Sequence, residues 1–151
     1  MAMRPTTQAE YVMMNRHSDN TPTPADLDIL DKYSSPNGLA VSVYLDLESL
    51  PEPDTANQLL EQLAEAQKRE LGMDEESWDS LQEDLDIIRL YLKTNGNRRA
   101  KGVAIFCCAS EFFWRVYSLP TPIPTHMHVG PRLDTADLVL LSRAGQKAAV
   151  R

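Results

Sequence analysis

Two long helical patterns in the middle of the chain constrain its fold more than any other feature. From about residue 59 to 71, and again from about 74 to 93, apolar residues recur with the period of an α-helix. Gly72 separates the two patterns, as glycine commonly does where a helix ends. Two helices joined so tightly fold back as an antiparallel pair, and their apolar stripes need a further layer to cover them. The second stripe is formed by Trp78, Leu81, Leu85, Ile88 and Leu92.

Apolar runs on either side of the helices predict that the further layer is a β-sheet. Val41, Val43 and Leu45 alternate with Ser42, Tyr44 and Asp46, which is typical of a β-strand. Residues 101–109 form a near-continuous apolar run, which is typical of a central strand. Residues 112–120 follow closely enough for a hairpin. With a short edge strand at 126–129, we predict an α/β sandwich in which a small mixed sheet packs against a long antiparallel helical hairpin.

The ends of the chain carry weaker patterns. Residues 1–20 lack both periodicity and the apolar block of a secretory signal, and they are predicted to be a flexible tail. Thr23-Pro24-Ala25-Asp26 then has the form of a capped helix start. One domain is expected over 21–141. Residues 142–151 are expected to be a C-terminal extension, either a terminal helix or the end of a truncated gene product, and helix is favoured over strand for the segment leading into it.

The charge of the chain is unevenly distributed. The formal net charge is −7 over 151 residues, which opposes broad nucleic-acid affinity. Residues 73–86 carry acids and no bases, whereas 87–110 carry bases and no acids. The basic stretch is a candidate binding site for RNA phosphates or for an acidic patch of a protein. The alternative is that it is a solvated turn without a binding role. The candidate nucleic-acid-binding residues are Lys93, Arg98, Arg99 and Lys101.

Side chains with catalytic or metal-binding potential do not form a recognisable site in the sequence. Cys107 and Cys108 are neighbours that point to opposite faces of a strand, so one buried and one half-buried thiol are expected. His126 and His128 share a face, but no third ligand is evident. Neither a nucleophile–His–acid triad nor a phosphate-cradling glycine loop can be assembled. No catalytic residue, metal or cofactor is therefore predicted. No stretch could span a membrane either, so a cytoplasmic protein without a membrane partner is expected.

The order of elements, together with particular strand motifs, resembles a known family. Residues 33–47, YSSPNGLAVSVYLDL, are similar to the opening strand of the bacterial and archaeal release-factor-like proteins. Residues 101–109, 112–120 and 128–131 resemble the strands that follow in that family. These proteins are distant relatives of the class-one release factor of eukaryotes and archaea. The resemblance covers about 25–141 and implies the amino-terminal domain, a noncatalytic translation-associated module that meets the ribosome or tRNA.

The chain departs from the release-factor pattern at the loop that recognises stop codons and at the catalytic loop. The tip of the helical hairpin, residues 70–76, has acids in place of the Asn-Ile-Lys-Ser loop that reads stop codons, and acids repel mRNA phosphates. No stop-codon recognition is therefore expected. The closing SRAGQKAAVR resembles the catalytic Gly-Gly-Gln loop, but Ala144 replaces its first glycine.

Two further interpretations remain open from the sequence. In the first, the chain is part of a peptidyl-tRNA or RNA hydrolase of ribosome rescue, acting through Gln146. In the second, it is an acidic protein-interaction domain whose hairpin tip docks a basic protein partner.

Overall fold

The structure, a computed structural model, describes residues 21–36, 39–50, 52–95 and 100–141. The predicted tail 1–20 and the extension 142–151, including Ala144, Gly145 and Gln146, lie outside the described residues. The described helices and strands are, in chain order, α1 (Pro24–Lys32), β1 (Ala40–Asp46), α2 (Pro53–Leu71), α3 (Glu75–Asn95), β2 (Gly102–Cys108), a 3₁₀ turn (Ala109–Glu111), β3 (Phe113–Leu119) and β4 (His126–Gly130). Residues 136–141 are also helical.

The four strands form one sheet in the order β3-β2-β1-β4. The predicted α/β class is confirmed, but the sheet is antiparallel at every pairing rather than mixed. The reason lies in the connection between β1 and β2. A single helix after β1 would return the chain to the end of the sheet where β1 begins, and the next strand would run parallel to β1. The second helix of the α2–α3 pair instead brings the chain back to the end where β1 finishes. Asp46 at the end of β1 therefore lies opposite Gly102 at the start of β2.

The turn between the two helices of the hairpin is formed as the sequence predicts. Gly72 adopts a left-handed conformation with φ of +63° and ends α2. The Asp74 carboxylate accepts a hydrogen bond from the Ser77 N–H at 2.8 Å, which caps the start of α3. The pKa of Asp74 is held below its usual value by these Ser77 hydrogen bonds, so this carboxylate stays charged. A tight, capped turn thus fixes the two helices side by side.

One face of the sheet packs against this hairpin. Inward-facing β1 residues such as Val43 are fully buried, and so are Leu60 of α2 and Leu85 of α3. Trp114 of β3 packs on Tyr91 of α3 with ring centroids 5.6 Å apart. This layer forms the larger of the two cores, where most of the hydrophobic stabilisation of the described residues arises.

The other face of the sheet is covered by α1 and by the segment that follows β4. Tyr44, Phe106 and Cys108 on that face are buried with Leu30 of α1 and Leu138. Burial on both faces explains why β2 is apolar throughout. It also corrects the prediction for the cysteines: Cys107 and Cys108 are both buried, and both are free thiols.

The predicted start of α1 is confirmed in detail. Thr23 Oγ1 accepts from the Asp26 N–H at 3.1 Å, and the Asp26 carboxylate accepts from the Thr23 N–H at 2.8 Å. This reciprocal capping box satisfies two backbone donors that the helix leaves unpaired. The helix predicted near the end of the chain is present over 136–141. None of the helices in the described part of the chain combines the length and apolarity that a membrane crossing requires.

Candidate functional site

Two of the predicted basic residues, Lys93 and Lys101, lie at the end of the helical hairpin opposite its tip. Lys93 is exposed near the end of α3, and Lys101 is exposed immediately before β2. Only residues 96–101 connect α3 to β2, so both lysines lie at the same end of the molecule. Arg98 and Arg99 belong to that connection and lie outside the described residues. We call the set Lys93, Arg98, Arg99 and Lys101 the basic end.

Lys101 is held in place by its backbone. Its N–H donates to the Leu119 carbonyl and its carbonyl accepts from the Leu47 N–H, each at 3.0 Å. The next residue, Gly102, sits where a Cβ would come within 2.9 Å of the Thr121 carbonyl oxygen. Glycine is therefore required for β2 to begin there. The side chain of Lys101 is thus presented from a fixed point at the end of the sheet.

A carboxylate lies beside the ammonium of Lys101. Glu48 Oε1 is 3.7 Å from Lys101 Nζ, and both side chains are more than half exposed. The turn that carries Glu48 is organised by Asp46, whose carboxylate accepts from the N–H groups of Glu48 and Ser49. An exposed pair of this kind contributes at most about 1 kcal/mol. Lys101 can therefore exchange Glu48 for another anion at little cost.

Arg89, which the sequence places one turn before the basic end, is engaged elsewhere. Its guanidinium binds Glu61 of α2 and Asp86 of α3, the latter at 2.8 Å. The contact with Glu61 ties the two helices of the hairpin together, and the contact with Asp86 lies within α3. Arg89 thus serves the hairpin itself, and the accessible charge of the described basic end comes from Lys93 and Lys101.

The tip of the hairpin has the opposite charge. Glu70, Asp74, Glu75 and Glu76 are all exposed around the turn between α2 and α3. Lys93 follows Glu75 by five turns of α3, which separates the two groups by roughly 27 Å along the helix axis. The hairpin is therefore acidic at one end and basic at the other.

A buried carboxylate between α3 and the sheet, that of Asp84, was not among the candidate residues identified from the sequence. Asp84 is 2% exposed and accepts from the Ala109 N–H at 2.6 Å and from Cys107 Sγ at 3.7 Å. Burial raises its pKa to about 7. The spacing of Asp84 relative to Leu81 and Leu85 places it within the apolar stripe, and that spacing was the available signal.

The two histidines of β4 differ in their surroundings. His126 Nε2 lies 3.2 Å from Asp134 Oδ2, His126 Nδ1 lies 3.6 Å from Asp137 Oδ2, and the ring stacks on Tyr44 at 4.7 Å. His128 is exposed. Because the two aspartates contact opposite ring nitrogens of His126, they cannot share one metal ion with it. Over residues 21–36, 39–50, 52–95 and 100–141, no group of three or more His, Cys, Asp or Glu side chains is arranged to hold a metal.

Comparisons with known proteins indicate the fold and not the function. No protein-family model matches the sequence, and no curated protein matches it. The crystal structure of the archaeal translation termination factor aRF1 is similar over 74% of this chain, with 20% sequence identity and a TM-score of 0.51. A structure described only as an archaeal protein is similar over 91% of this chain, with 18% identity and a TM-score of 0.52.

The chain is much shorter than these structures. It spans 31% of the length of aRF1 and 36% of the length of the other archaeal protein. At such identities the likeness establishes the fold alone. The chain therefore has a fold similar to part of a translation termination factor, as the strand motifs led us to expect.

Proposed function

We propose that the chain is a noncatalytic translation-associated module that contacts the ribosome or tRNA through its basic end and does not recognise stop codons. The observation that carries this proposal is the fold shared with part of the archaeal translation termination factor. The charge separation along the helical hairpin supports an orientation in which the basic end faces the RNA. Lys93, Arg98, Arg99 and Lys101 would contact phosphates, and the acidic tip would face away from RNA.

The electrostatics favour a limited and oriented contact. A net charge of −7 repels RNA at a distance, so binding depends on a few local ion pairs at the basic end. Four lysine or arginine contacts to single-stranded RNA give a slope of log K against log salt of about −3. Affinity should therefore fall steeply between low and physiological salt.

Co-sedimentation with 70S ribosomes at low and physiological salt tests the proposal. The triple variant Arg98→Glu, Arg99→Glu, Lys101→Glu should lose the salt-sensitive pelleting of the parent chain. A matched control is Lys32→Glu, Lys68→Glu, Arg69→Glu, which makes the same change in net charge at three exposed positions away from the basic end. Equal losses in both variants, or unchanged pelleting of the first, would show that the basic end does not bind the ribosome.

A further inference from the structure

The tip of the helical hairpin is bordered by two open grooves that share Gly72 and Met73. The first groove, with a volume of about 550 Å³, lies between the tip and the edge strand β4, and Leu39, Leu71 and Val129 contribute to its walls. The second, of about 620 Å³, runs along α2 and α3 beside Trp78. We call the two together the tip grooves. They lie at the end of the hairpin remote from Lys93 and Lys101.

The tip grooves present apolar groups at the surface. Leu71, in the last turn of α2, is 52% exposed, although exposed positions of this kind are more often occupied by polar residues. Met73 and Trp78 are half-buried next to it, with one side of each against the core. Lys68 Nζ lies 4.7 Å from the Trp78 ring centroid and covers part of the indole. Tryptophan and methionine beside an exposed leucine resemble the anchors of protein interfaces more than an ordinary solvated surface.

The rim of the tip grooves is predominantly acidic. Glu65 and Glu61, the latter paired with Arg89, line the second groove, and Asp74 lines the first. Further exposed carboxylates, those of Glu70, Glu75 and Glu76, surround the turn. Lys68 and Arg69 are the bases at this site, and Lys68 is engaged with Trp78. An apolar floor with an acidic rim complements a ligand that is apolar at its centre and basic at its edges.

We propose that the tip grooves dock a segment of a partner protein that carries an aromatic or aliphatic anchor flanked by lysines or arginines. The anchor would be buried against Leu71, Met73 and Trp78, and the flanking bases would pair with the carboxylates of the rim. RNA is disfavoured here because its phosphates would meet these same carboxylates. This surface is independent of the basic end, so either proposal can fail without the other.

A phage-displayed library of short random peptides, selected on the immobilised chain, supplies the probe. Selected peptides should combine an apolar anchor with neighbouring lysines or arginines. In titrations, Leu71→Ser should weaken binding of a selected peptide about tenfold or more. The matched control is Ile29→Ser, because Ile29 on α1 is 48% exposed and equally apolar. Both residues are exposed, so neither substitution removes a buried core side chain, and circular dichroism checks that both variants fold.

Two further measurements decide the chemistry and the place of binding. The triple variant Glu70→Gln, Glu75→Gln, Glu76→Gln should bind the peptide severalfold more weakly at low salt. The triple charge reversal at the basic end should leave the affinity for the peptide unchanged. Amide chemical shifts should move at residues 71–77 and 128–130. Selected peptides that lack bases, equal affinity for the Leu71 and Ile29 variants, shifts of the same amides on addition of RNA alone, or Leu71-dependent self-association in sedimentation would each overturn the proposal.

Discussion

The carboxylate of Asp84 accepts a hydrogen bond from the N–H of Ala109 at 2.6 Å, across the boundary between α3 and the sheet. This bond joins the middle of the helical hairpin to the 3₁₀ turn between β2 and β3. It is made by a side chain that is 2% exposed. Because a buried carboxylate is costly when charged, the stability of this junction depends on its protonation.

The first prediction concerns the pH dependence of folding. The pKa of Asp84 is raised from 3.8 to about 7 in the folded protein, so the folded state holds a proton that the unfolded state loses first. The contribution is fully present below pH 4 and is lost as pH rises through 7. It amounts to on the order of 4 kcal/mol between those limits. Asp84→Asn, which keeps an acceptor for the Ala109 N–H, should remove this loss.

Urea denaturation of the parent and of Asp84→Asn at pH 5 and pH 8 measures the effect. The variant should gain stability relative to the parent as the pH rises. Asp84→Leu is the control, since it leaves the Ala109 N–H without its acceptor and should cost about 1–3 kcal/mol at pH 5. A pH-independent difference between parent and Asn variant would contradict the assignment.

The second prediction concerns the segment that covers the second face of the sheet. His126 contacts Asp134 and Asp137, and the Asp134 N–H donates to Ser42 Oγ at 2.9 Å. Removing the imidazole should loosen residues 133–141. We expect His126→Ala to lower the free energy of unfolding by about 1–2 kcal/mol and to speed amide hydrogen exchange in that segment. His128→Ala, an exposed histidine of the same strand, should change neither quantity, and similar effects of both would refute the role given to His126.

The third prediction concerns the start of β2. At Gly102 a Cβ would meet the Thr121 carbonyl oxygen at 2.9 Å, whereas at Gly130 it would meet the movable ring of His128 at 3.1 Å. Gly102→Ala must shift backbone and should destabilise by about 1–3 kcal/mol. Gly130→Ala should cost much less, because a side chain can rotate away. Thermal denaturation of the two variants provides the comparison, and equal costs would be evidence against the close backbone packing at Gly102.

The fourth prediction concerns the ion pair beside the basic end. Glu48 lies 3.7 Å from Lys101 Nζ and competes with any phosphate for it. Glu48→Gln should therefore tighten ribosome binding about twofold to fivefold at low salt, and the gain should shrink as salt rises. Glu65→Gln changes the charge equally beside the tip grooves and serves as the control. An equal gain in both variants would indicate a general charge effect and not the release of Lys101.

Local features of this fold were predictable because neighbouring residues determine them. Thr23 with Asp26, and Gly72 with Asp74, mark the ends of helices through hydrogen bonds and backbone angles within a few residues. The apolar run of β2 likewise indicated a central strand. The charge split between the two ends of the hairpin could also be read from the sequence, since helix positions convert directly into distances.

Features that join distant parts of the chain were not predictable in the same way. The antiparallel sheet depends on where two whole helices return the chain, and the partners of Asp84 and His126 come from other elements. The tip grooves arise because Leu39 and Val129 are brought beside Leu71 by the sheet. No local pattern specifies such neighbours. Arg98 and Arg99 lie outside the described residues, so their part in the basic end remains a prediction.

The position of β1 in the sheet has a consequence for how the chain folds. β1 lies between β2 and β4, and Val43 pairs with Ile105 on one side and Met127 on the other. Both neighbours are synthesised long after β1, whereas the contacts of the α2–α3 pair are local in sequence. We therefore expect the helical pair to form first and the sheet to close later, because closure must bring distant segments together. Until then β1 lacks both neighbouring strands, and we expect the incomplete chain to be more prone to aggregation than the folded protein.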